Sequence, residues 1–244
     1  MENGVDRTVQ IARIVTHAIL DELETAKLKT SVFHLVSVIQ EAAGKGLAIF
    51  LQDNPDPDAI ASGCALKRIA EKYHIKSTIY YGGNIGRQQN KILVNLLETD
   101  LIQLKTADEA LEIAHAADKV ALIEASIPSK NNILPLQITP HIVIDHHETD
   151  FSLVKGEFIE ILPKIGATST ILTRYLRHLD IVPDPPLATA LRYGIRVDTG
   201  GFTRNTTMED LDAAAYLSPL LDAGLLNQIE NPPMSAETVD IIGR

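Results

Sequence analysis

The chain has few of the residues from which disulfide-rich domains and zinc domains are built. Its 244 residues include one cysteine, Cys64, and no tryptophan. One cysteine cannot form an internal disulfide framework or a thiolate metal cluster, so a metal site would need oxygen and imidazole ligands. We expect Cys64 itself to fill space in the core.

Long apolar runs and a surplus of positive charge are lacking as well. No run approaches the roughly 18 apolar residues that a membrane span requires, and residues 1–6 lack the basic start of a signal peptide. We therefore expect no membrane association and a cytoplasmic location. Lysine and arginine number 22 against 32 acids, a net charge of −10, which argues against a broad grip on nucleic acid. The net charge does not exclude small anionic substrates, because a bound cation can reverse the charge inside a pocket.

What the chain does have is an alternation of apolar runs and helical segments. The first forty-odd residues predict helix, with Val15, Ile19 and Leu23 at helical spacing and a second apolar stretch at 32–39. Strand-like runs then alternate with helices, which is typical of βαβ units. Runs that are apolar on both faces favour a doubly wound, mainly parallel α/β sheet flanked by helices.

The alternation also predicts where the elements and domains lie. The predicted strands cover residues 47–51, 75–81, 119–123 and 141–144, and the main helices about 59–73, 167–179 and a segment after Asp184. A later helix is predicted to begin with a capping box formed by Thr206 and Glu209. We divide the chain into an N-terminal helical extension at 1–45, an α/β domain at 46–230 and a linker-like tail at 231–244.

Acids and imidazoles follow several of the apolar runs. Ligands of doubly wound sheets bind beyond the carboxyl ends of the strands, so these side chains are expected to converge on one metal site. The candidates are Asp56 and Asp58 after the run at 47–51, Glu124 after 119–123, Asp145, His146 and His147 at the end of 141–144, and Asp198 in the segment 194–199.

Several of these residues also have a plainer interpretation. Asp58 could cap the helix that begins near Ala59. Glu124 could be an acid that emerges at the sheet edge. His146 and His147 would diverge in an extended backbone, so that one binds a metal while the other faces substrate as an acid. The lone histidines are expected to face solvent: His17, His34, His74, His115 and His178.

Four ordered motifs give the chain a resemblance to a known family. They are Asn-Pro-Asp-Pro-Asp-Ala-Ile-Ala-Ser at 54–62, Asp-His-His at 145–147, Gly-Ala-Thr-Ser at 166–169 and Gly-Ile-Arg-Val-Asp-Thr-Gly-Gly-Phe at 194–202. Over residues 46–244 the chain resembles the DHH phosphoesterase superfamily, in particular its RecJ-like and nanoRNase-pAp-phosphatase-like members. The resemblance implies a DHH catalytic domain at 46–230 that hydrolyses phosphate esters or anhydrides with two manganese ions, or with magnesium or cobalt.

The resemblance also implies a role for each candidate residue. For one ion it implies Asp56, the side chain at position 52 and a bridging acid at position 124. For the other ion it implies Asp58, His146 and Asp198. His147 would act at the scissile phosphate, and Asp145 would orient the imidazoles. Arg204 could contact a phosphate oxygen or lie on the surface.

Two residues depart from the family pattern on the same ion. Gln52 stands where the family has a metal-binding histidine, and Glu124 stands where it has a bridging aspartate. An amide oxygen is a poorer ligand for manganese than imidazole, and glutamate adds a methylene. We therefore hypothesise that one metal position is weak or empty and that activity is impaired.

Two functions follow from the resemblance and the departures. The first is a metal-dependent phosphoesterase acting on a small nucleotide or a short single-stranded oligonucleotide. The alternative is a catalytically weakened DHH domain that serves as a binding or scaffold module. The second, substrate-binding domain that many relatives carry is expected to be absent, because no glycine-rich segment ending in histidine follows Asn231.

The N-terminal helices, at residues 7–43, lie outside the resemblance. Their apolar stripes need a partner. They could pack on the sheet or pair with a second chain in a homodimer.

Overall fold

The fold is built on one parallel sheet. The computed structural model describes residues 2–126 and 131–232, and within them six strands lie in the order β3-β2-β1-β4-β5-β6. All neighbouring strands are parallel. The strands are β1 (Leu47–Leu51), β2 (Ser77–Tyr81), β3 (Leu101–Gln103), β4 (Lys119–Ile123), β5 (Ile142–Asp145) and β6 (Phe158–Ile161). This order confirms the predicted doubly wound α/β sheet.

The strand order reverses between β1 and β4. These two neighbours are in register, with Phe50 opposite Leu122 and Leu51 opposite Ile123. From this pair the sheet grows outward in both directions, to β3 on one side and to β6 on the other. Such a reversal leaves a crevice beyond the carboxyl ends of the two central strands, and ligands bind there. The residues that follow β1 and β4 therefore border a natural binding crevice.

Helices cover the two faces of the sheet unequally. In the described residues the helices are α1 (Glu2–Gln40), α2 (Pro57–Lys72), α3 (Gln88–Leu97), α4 (Ala107–Ala116), α5 (Thr168–His178), α6 (Pro185–Asp198), α7 (Met208–Leu217) and α8 (Ala223–Glu230). The helices α2, α5 and α6 pack on one another in the main core, where α2 also packs on the sheet. The other face carries a smaller cluster, in which Phe50 and Leu122 pack with Ala110 of α4. Strands β1, β4 and β5 are consequently buried along their whole length.

The N-terminal extension is one continuous helix, not the two that were predicted. Near its end Val32, Leu35 and Ile39 are buried against the domain, and the helix contacts α2, α5 and β6. The described side chains from Val15 to Lys27 are exposed. Helix α1 therefore packs on the sheet at one end and extends beyond it at the other.

The predicted capping box is shifted by one residue. Thr207 and Asp210 form it in place of Thr206 and Glu209, and the Asp210 carboxylate accepts the Thr207 amide at 2.8 Å. The reason is burial: Asp210 is fully buried and also accepts a hydrogen bond from the amide of Gly166. The box thereby anchors the chain just before α5.

Other predictions concern single residues and the ends of the chain. Cys64 is buried and free, as predicted. His34, His74 and His115 are exposed and His178 is partly exposed, whereas the side chain of His17 and the tail from 233 onward lie outside the described residues. Within the described part of the chain, no helix has both the length and the apolarity needed to cross a membrane.

Candidate metal centre

The polar candidates gather beyond the carboxyl ends of β1, β4 and β5. They do not all come from strand ends, as the sequence had suggested. Asp198 is the last residue of α6, because the segment at 185–198 is helical throughout. The remaining members are Asp56 and Asp58 at the start of α2, Glu124 after β4, and Asp145, His146 and His147 at the end of β5.

Asp58 does not cap its own helix. Pro57 begins α2, so Asp56 is the N-cap and accepts the amide of Ala59 at 2.9 Å. The Asp58 carboxylate instead accepts the first amides of α5, from Thr168 and from Ser169, both at 2.7 Å. Helix α5 has no side-chain cap from its own N-cap residue, so Asp58 satisfies amides that would otherwise be unpaired. Full burial, and after it the charge of Asp198, raises the pKa of Asp58.

Gly194 lets α6 approach Asp58. A Cβ atom at this position would lie 2.7 Å from the Ser169 hydroxyl and 3.1 Å from the Asp58 Cα. Real Cβ atoms essentially never come as close as 2.7 Å to another heavy atom, and 3.1 Å is already tight, so a side chain at Gly194 would displace the Ser169 hydroxyl and push α6 away from α2. Because Asp198 lies one turn further along the same helix, this contact also sets the distance between Asp198 and Asp58.

Glu124 is the most unusual of the acids. Its residue has φ of 60°, a left-handed conformation that non-glycine residues rarely adopt. The side chain is buried, and neither carboxylate oxygen has a hydrogen-bond partner among the described residues. Burial, together with the charges of Asp58 and Asp56, raises its pKa well above the ordinary value. A buried carboxylate without partners is costly unless a cation compensates its charge.

His146 points its free nitrogen at two of the acids. Its Nδ1 donates to the carbonyl of Ile165 at 3.2 Å, which leaves Nε2 facing Asp198 at 3.1 Å and Glu124 at 3.7 Å. Burial alone would lower the pKa of His146, but Asp198 and Asp58 raise it to about 9. A backbone carbonyl that fixes one ring nitrogen and frees the other is the usual support of a metal-binding histidine.

His147 and Asp145 form a pair beside this cluster. Asp145 accepts both the backbone amide and the Nδ1 of His147, at 3.1 and 2.8 Å. This contact is the main reason why the pKa of His147 is raised. The prediction that the two imidazoles diverge is wrong: β5 ends at Asp145, the next two residues lie outside the strand, and the ring centroids of His146 and His147 lie 4.4 Å apart.

Gln52 lies on the other side of Asp56, in a network of amides. Its Oε1 accepts a hydrogen bond from Asn131 at 3.0 Å, and its side chain donates to Asp56. Burial nevertheless raises the pKa of Asp56, with the charge of Asp58 as the second cause. The Gln52 amide thus supplies Asp56 with a neutral hydrogen-bond donor.

One set of four side chains has the arrangement of a metal site. Ligand atoms of Asp58, Glu124, His146 and Asp198 lie within 4.8 Å of one another, and Glu124, His146 and His147 form a second, overlapping group. Asp56 belongs to neither of these groups within the described chain. The Glu124 oxygens, which lack a hydrogen-bond partner in the described chain, and the His146 Nε2, which faces Asp198, are ligand atoms of the kind that manganese, magnesium or zinc accepts, so the residues fit a divalent cation.

An open cleft of about 440 Å³ leads to the cluster from one side. Its walls include Glu124, Asn131, His147, Glu148 and Asp150. Arg204 is exposed, and its Nε donates to the backbone carbonyl of Asp198 at 3.2 Å. The cleft is acidic, and a phosphate would enter it most easily after a cation had bound.

Two contributors were missed at the level of sequence. Asn131 donates a hydrogen bond to Gln52. It lies in a segment for which no structure was predicted, and no pattern in the sequence indicated this contact. Ile165 supplies only a carbonyl to His146, a role that any residue can perform. Gly194, by contrast, was quoted within a motif, and its tight contact with Asp58 explains why glycine stands there.

Comparison with known proteins places this geometry in a family. No family model matches the chain. A protein of Methanocaldococcus jannaschii, described as uncharacterized, is 38% identical over 99% of this chain and 51% of its own length. A probable manganese-dependent inorganic pyrophosphatase of Deinococcus radiodurans is 29% identical over 71% of this chain and 54% of its own length. The cyclic-di-AMP phosphodiesterase GdpP of Bacillus subtilis is 25% identical over 67% of this chain and 26% of its own length.

These relatives support the DHH phosphoesterase superfamily, which the four motifs of the chain resemble. A solved structure supports the fold: an exopolyphosphatase-related protein of Bacteroides fragilis superposes with a TM-score of 0.68 at 18% identity, covering 88% of this chain and 64% of that one. The chain spans about half the length of the first two curated relatives and about a quarter of the third. The DHH motifs coincide with the acids and imidazoles described above.

Proposed function

We propose that this protein is a metal-dependent phosphoesterase. One observation carries the proposal: Glu124 is buried without a hydrogen-bond partner in the described chain, within 4.8 Å of ligand atoms from Asp58, His146 and Asp198. A structure keeps such a charge only where a ligand compensates it. Related proteins named as a pyrophosphatase and as cyclic-di-AMP phosphodiesterases support hydrolysis of phosphate esters or anhydrides.

The protein's side chains would divide the work by position. Asp58, Glu124, His146 and Asp198 would hold a divalent cation, with manganese preferred. When bound, that cation polarises a phosphoryl oxygen and lowers the pKa of a water molecule. His147, which donates through Nδ1 to Asp145, keeps its Nε2 for the substrate and would donate a proton to the leaving oxygen.

We further propose that Arg204 binds a phosphate oxygen at the rim. It is exposed and already held beside Asp198 through that residue's carbonyl. A guanidinium binds phosphate oxygens in pairs, which would orient the group for hydrolysis. The substrate would be a small nucleotide, a cyclic dinucleotide, a short single-stranded oligonucleotide or pyrophosphate.

Hydrolysis with manganese tests the proposal. Pyrophosphate, cyclic di-AMP and a short oligoribonucleotide would be incubated with the protein and with His146→Ala. We expect hydrolysis of at least one substrate, and a loss of about 100-fold or more in His146→Ala, since a metal ligand is removed. His115→Ala, on the exposed side of α4, is the matched control and should retain full activity. Hydrolysis that is equal in His146→Ala and the control would refute the site.

The geometry of Asp56 supports a second candidate function. The Gln52 amide donates to Asp56, and Asp56 lies outside both groups of potential ligands among the described residues. A centre with one cation in place of two would bind phosphate groups but hydrolyse them slowly. Tight manganese and nucleotide binding without hydrolysis would favour this binding or scaffold role over the enzyme.

A further inference from the structure

Helix α1 carries two opposite apolar stripes, and the domain covers one of them. Leu28, Val32, Leu35 and Ile39 face the domain, and all are buried except Leu28, which is partly buried. Their spacing of four, three and four residues keeps them on one face of the helix. The core packing therefore accounts for one side of α1 from residue 28 onward.

The second stripe runs along the other side of the helix and is exposed. Ile19, Leu23 and Phe33 are each about half exposed, and Ala26, which lies between them, is exposed too. The spacing of four, three and seven residues is that of a and d positions in a coiled coil: Leu23 is a, and Ile19, Ala26 and Phe33 are d. In the same heptads the domain-facing residues take positions c and f, on the opposite face.

The residues that flank the exposed stripe, at the e and g positions, would pair by charge and by apolarity with those of a second copy in parallel orientation. In a parallel pair, each g position faces the e position five residues later on the partner helix. Glu22 at g would therefore face Lys27, and Val15 at g would face Leu20. Val15 and Leu20 are each about half exposed, as Ile19 and Leu23 are. An antiparallel pair would instead bring e positions together, placing Leu20 beside Lys27.

From this heptad pattern and the complementary flanking residues, we propose that the chain forms a homodimer through a parallel two-helix coiled coil over residues 15–34. Because the domains attach on the c and f side of each helix, the described side chains of the seam from Val15 to Lys27 stay exposed, while Phe33 at its end also contacts the ring of His178 in α5, with ring centroids 6.2 Å apart. The seam spans about 30 Å, roughly three heptads, so the dimer is expected to dissociate on dilution. It explains every large apolar side chain that is exposed on the described part of α1. The proposal is independent of the phosphoesterase function.

Sedimentation of the full chain over a range of concentrations tests for the dimer. We expect twice the 26.7 kDa chain mass at high micromolar concentration. Leu23→Glu should raise the dissociation constant at least 100-fold, while the control Thr25→Glu, on an exposed position outside the seam, should not. Both positions are exposed, so neither change threatens the fold. A monomer at all concentrations, or a dimer that Leu23→Glu leaves intact, would overturn the proposal.

Charge reversal and crosslinking test the parallel register. Glu22→Lys and Lys27→Glu should each weaken the dimer, and the double variant should restore it, because the pair re-forms between partners. Ala26→Cys should give a disulfide-linked dimer on mild oxidation, since equal d positions meet across a parallel seam, whereas Thr25→Cys should not. A dimer that persists without the Ala26→Cys crosslink would refute the parallel arrangement.

Discussion

Strand β4 has a buried charge at each end, and the protein treats the two differently. Lys119, its first residue, forms ion pairs with Glu41 at 2.7 Å and Glu157 at 2.6 Å. Glu124, directly after its last residue, has no hydrogen-bond partner in the described chain, and the imidazole nitrogens of His146 and His147 lie 3.7 and 3.9 Å from its oxygens. Both side chains are almost fully buried. At the amino end of β4, side chains of the same chain neutralise the buried charge. At the carboxyl end, acids surround a space that a cation would fill.

The charge at the amino end of β4 serves stability, and the charge at its carboxyl end serves function. A buried charge that has ion-pair partners within the chain holds neighbouring segments together. A buried charge without such partners destabilises the folded state until a ligand binds.

The largest effect is expected from Glu124→Gln. The amide keeps the shape but removes the unpaired charge, so manganese affinity should fall about 100-fold or more. The metal-free protein should gain on the order of 1–3 kcal/mol of unfolding free energy, because a glutamine, unlike the acid, does not have to be neutralised or desolvated as a charge when the chain folds. Isothermal titration with manganese and thermal unfolding in EDTA measure the two effects. A variant that is less stable than the parent without metal would contradict the account of Glu124.

The second effect is a pH dependence of the metal-free protein. Glu124 is an acid whose folded pKa is raised, so its stabilising protonated form is lost as pH rises. His146 has a folded pKa of about 9 against 6.5, so its contribution is present below pH 6.5 and lost as pH rises through 9. The unfolding free energy should therefore fall between pH 7 and pH 9, by up to about 1.4 kcal/mol per pH unit for each proton involved.

Manganese and the other end of the strand provide controls for that slope. Saturating manganese should flatten or reverse it, because the cation binds the deprotonated ligands. Lys119 should not contribute, since its pKa is raised above 10.5, outside the window. Urea unfolding in EDTA at three pH values would measure the slope, and stability that rises with pH would show that the acids have partners of their own.

A smaller effect is expected from Gln52→His. The imidazole would give Asp56 a neighbouring metal ligand in place of an amide donor, so a second ion should bind beside the first. Metal content and the electron paramagnetic resonance of a coupled manganese pair would report it. Gln103→His, at the end of β3, makes the same change away from the acids and should add no ion. Two ions already bound tightly to the parent protein would contradict the role given to Gln52.

The smallest effect should come from the amino end, through Lys119→Met. The partners Glu41 and Glu157 are half exposed and can return to water, so the loss should be about 1 kcal/mol. Manganese affinity should not change. An equal loss of metal binding here and in Glu124→Gln would mean that the two ends are not independent.

The sequence predicted the parts of this arrangement that depend on local pattern. The apolar runs of β1, β4 and β5 were recognisable because both faces of each strand are buried, so Glu124 and Asp145 could be assigned to strand ends. Strand β3, with three partly or fully exposed residues, and the short β6 have no such signal and were not predicted. Periodicity detects burial, and edge strands have little of it.

The rest depends on contacts between distant segments. Asp58 was expected to bind a metal or to cap α2, yet it accepts amides from residues 168 and 169, more than a hundred positions away. The position of Pro57 could have revealed that Asp56 is the cap, since proline favours the first helical turn. No local pattern could have shown that Asp198 ends a helix held near Asp58 by the missing side chain of Gly194.

The hydrogen bonds to Asp58 have a practical consequence for spectroscopy. The amides of Thr168 and Ser169 both donate to that carboxylate, and both belong to a fully buried helix start. Their proton and nitrogen shifts will follow the charge that Asp58 shares with any bound ion, and their exchange with solvent will slow as that ion locks the carboxylate in place. The nuclear magnetic resonance signals of these two backbone amides can therefore report whether an ion occupies the metal site, even for ions that have no colour and no unpaired electron.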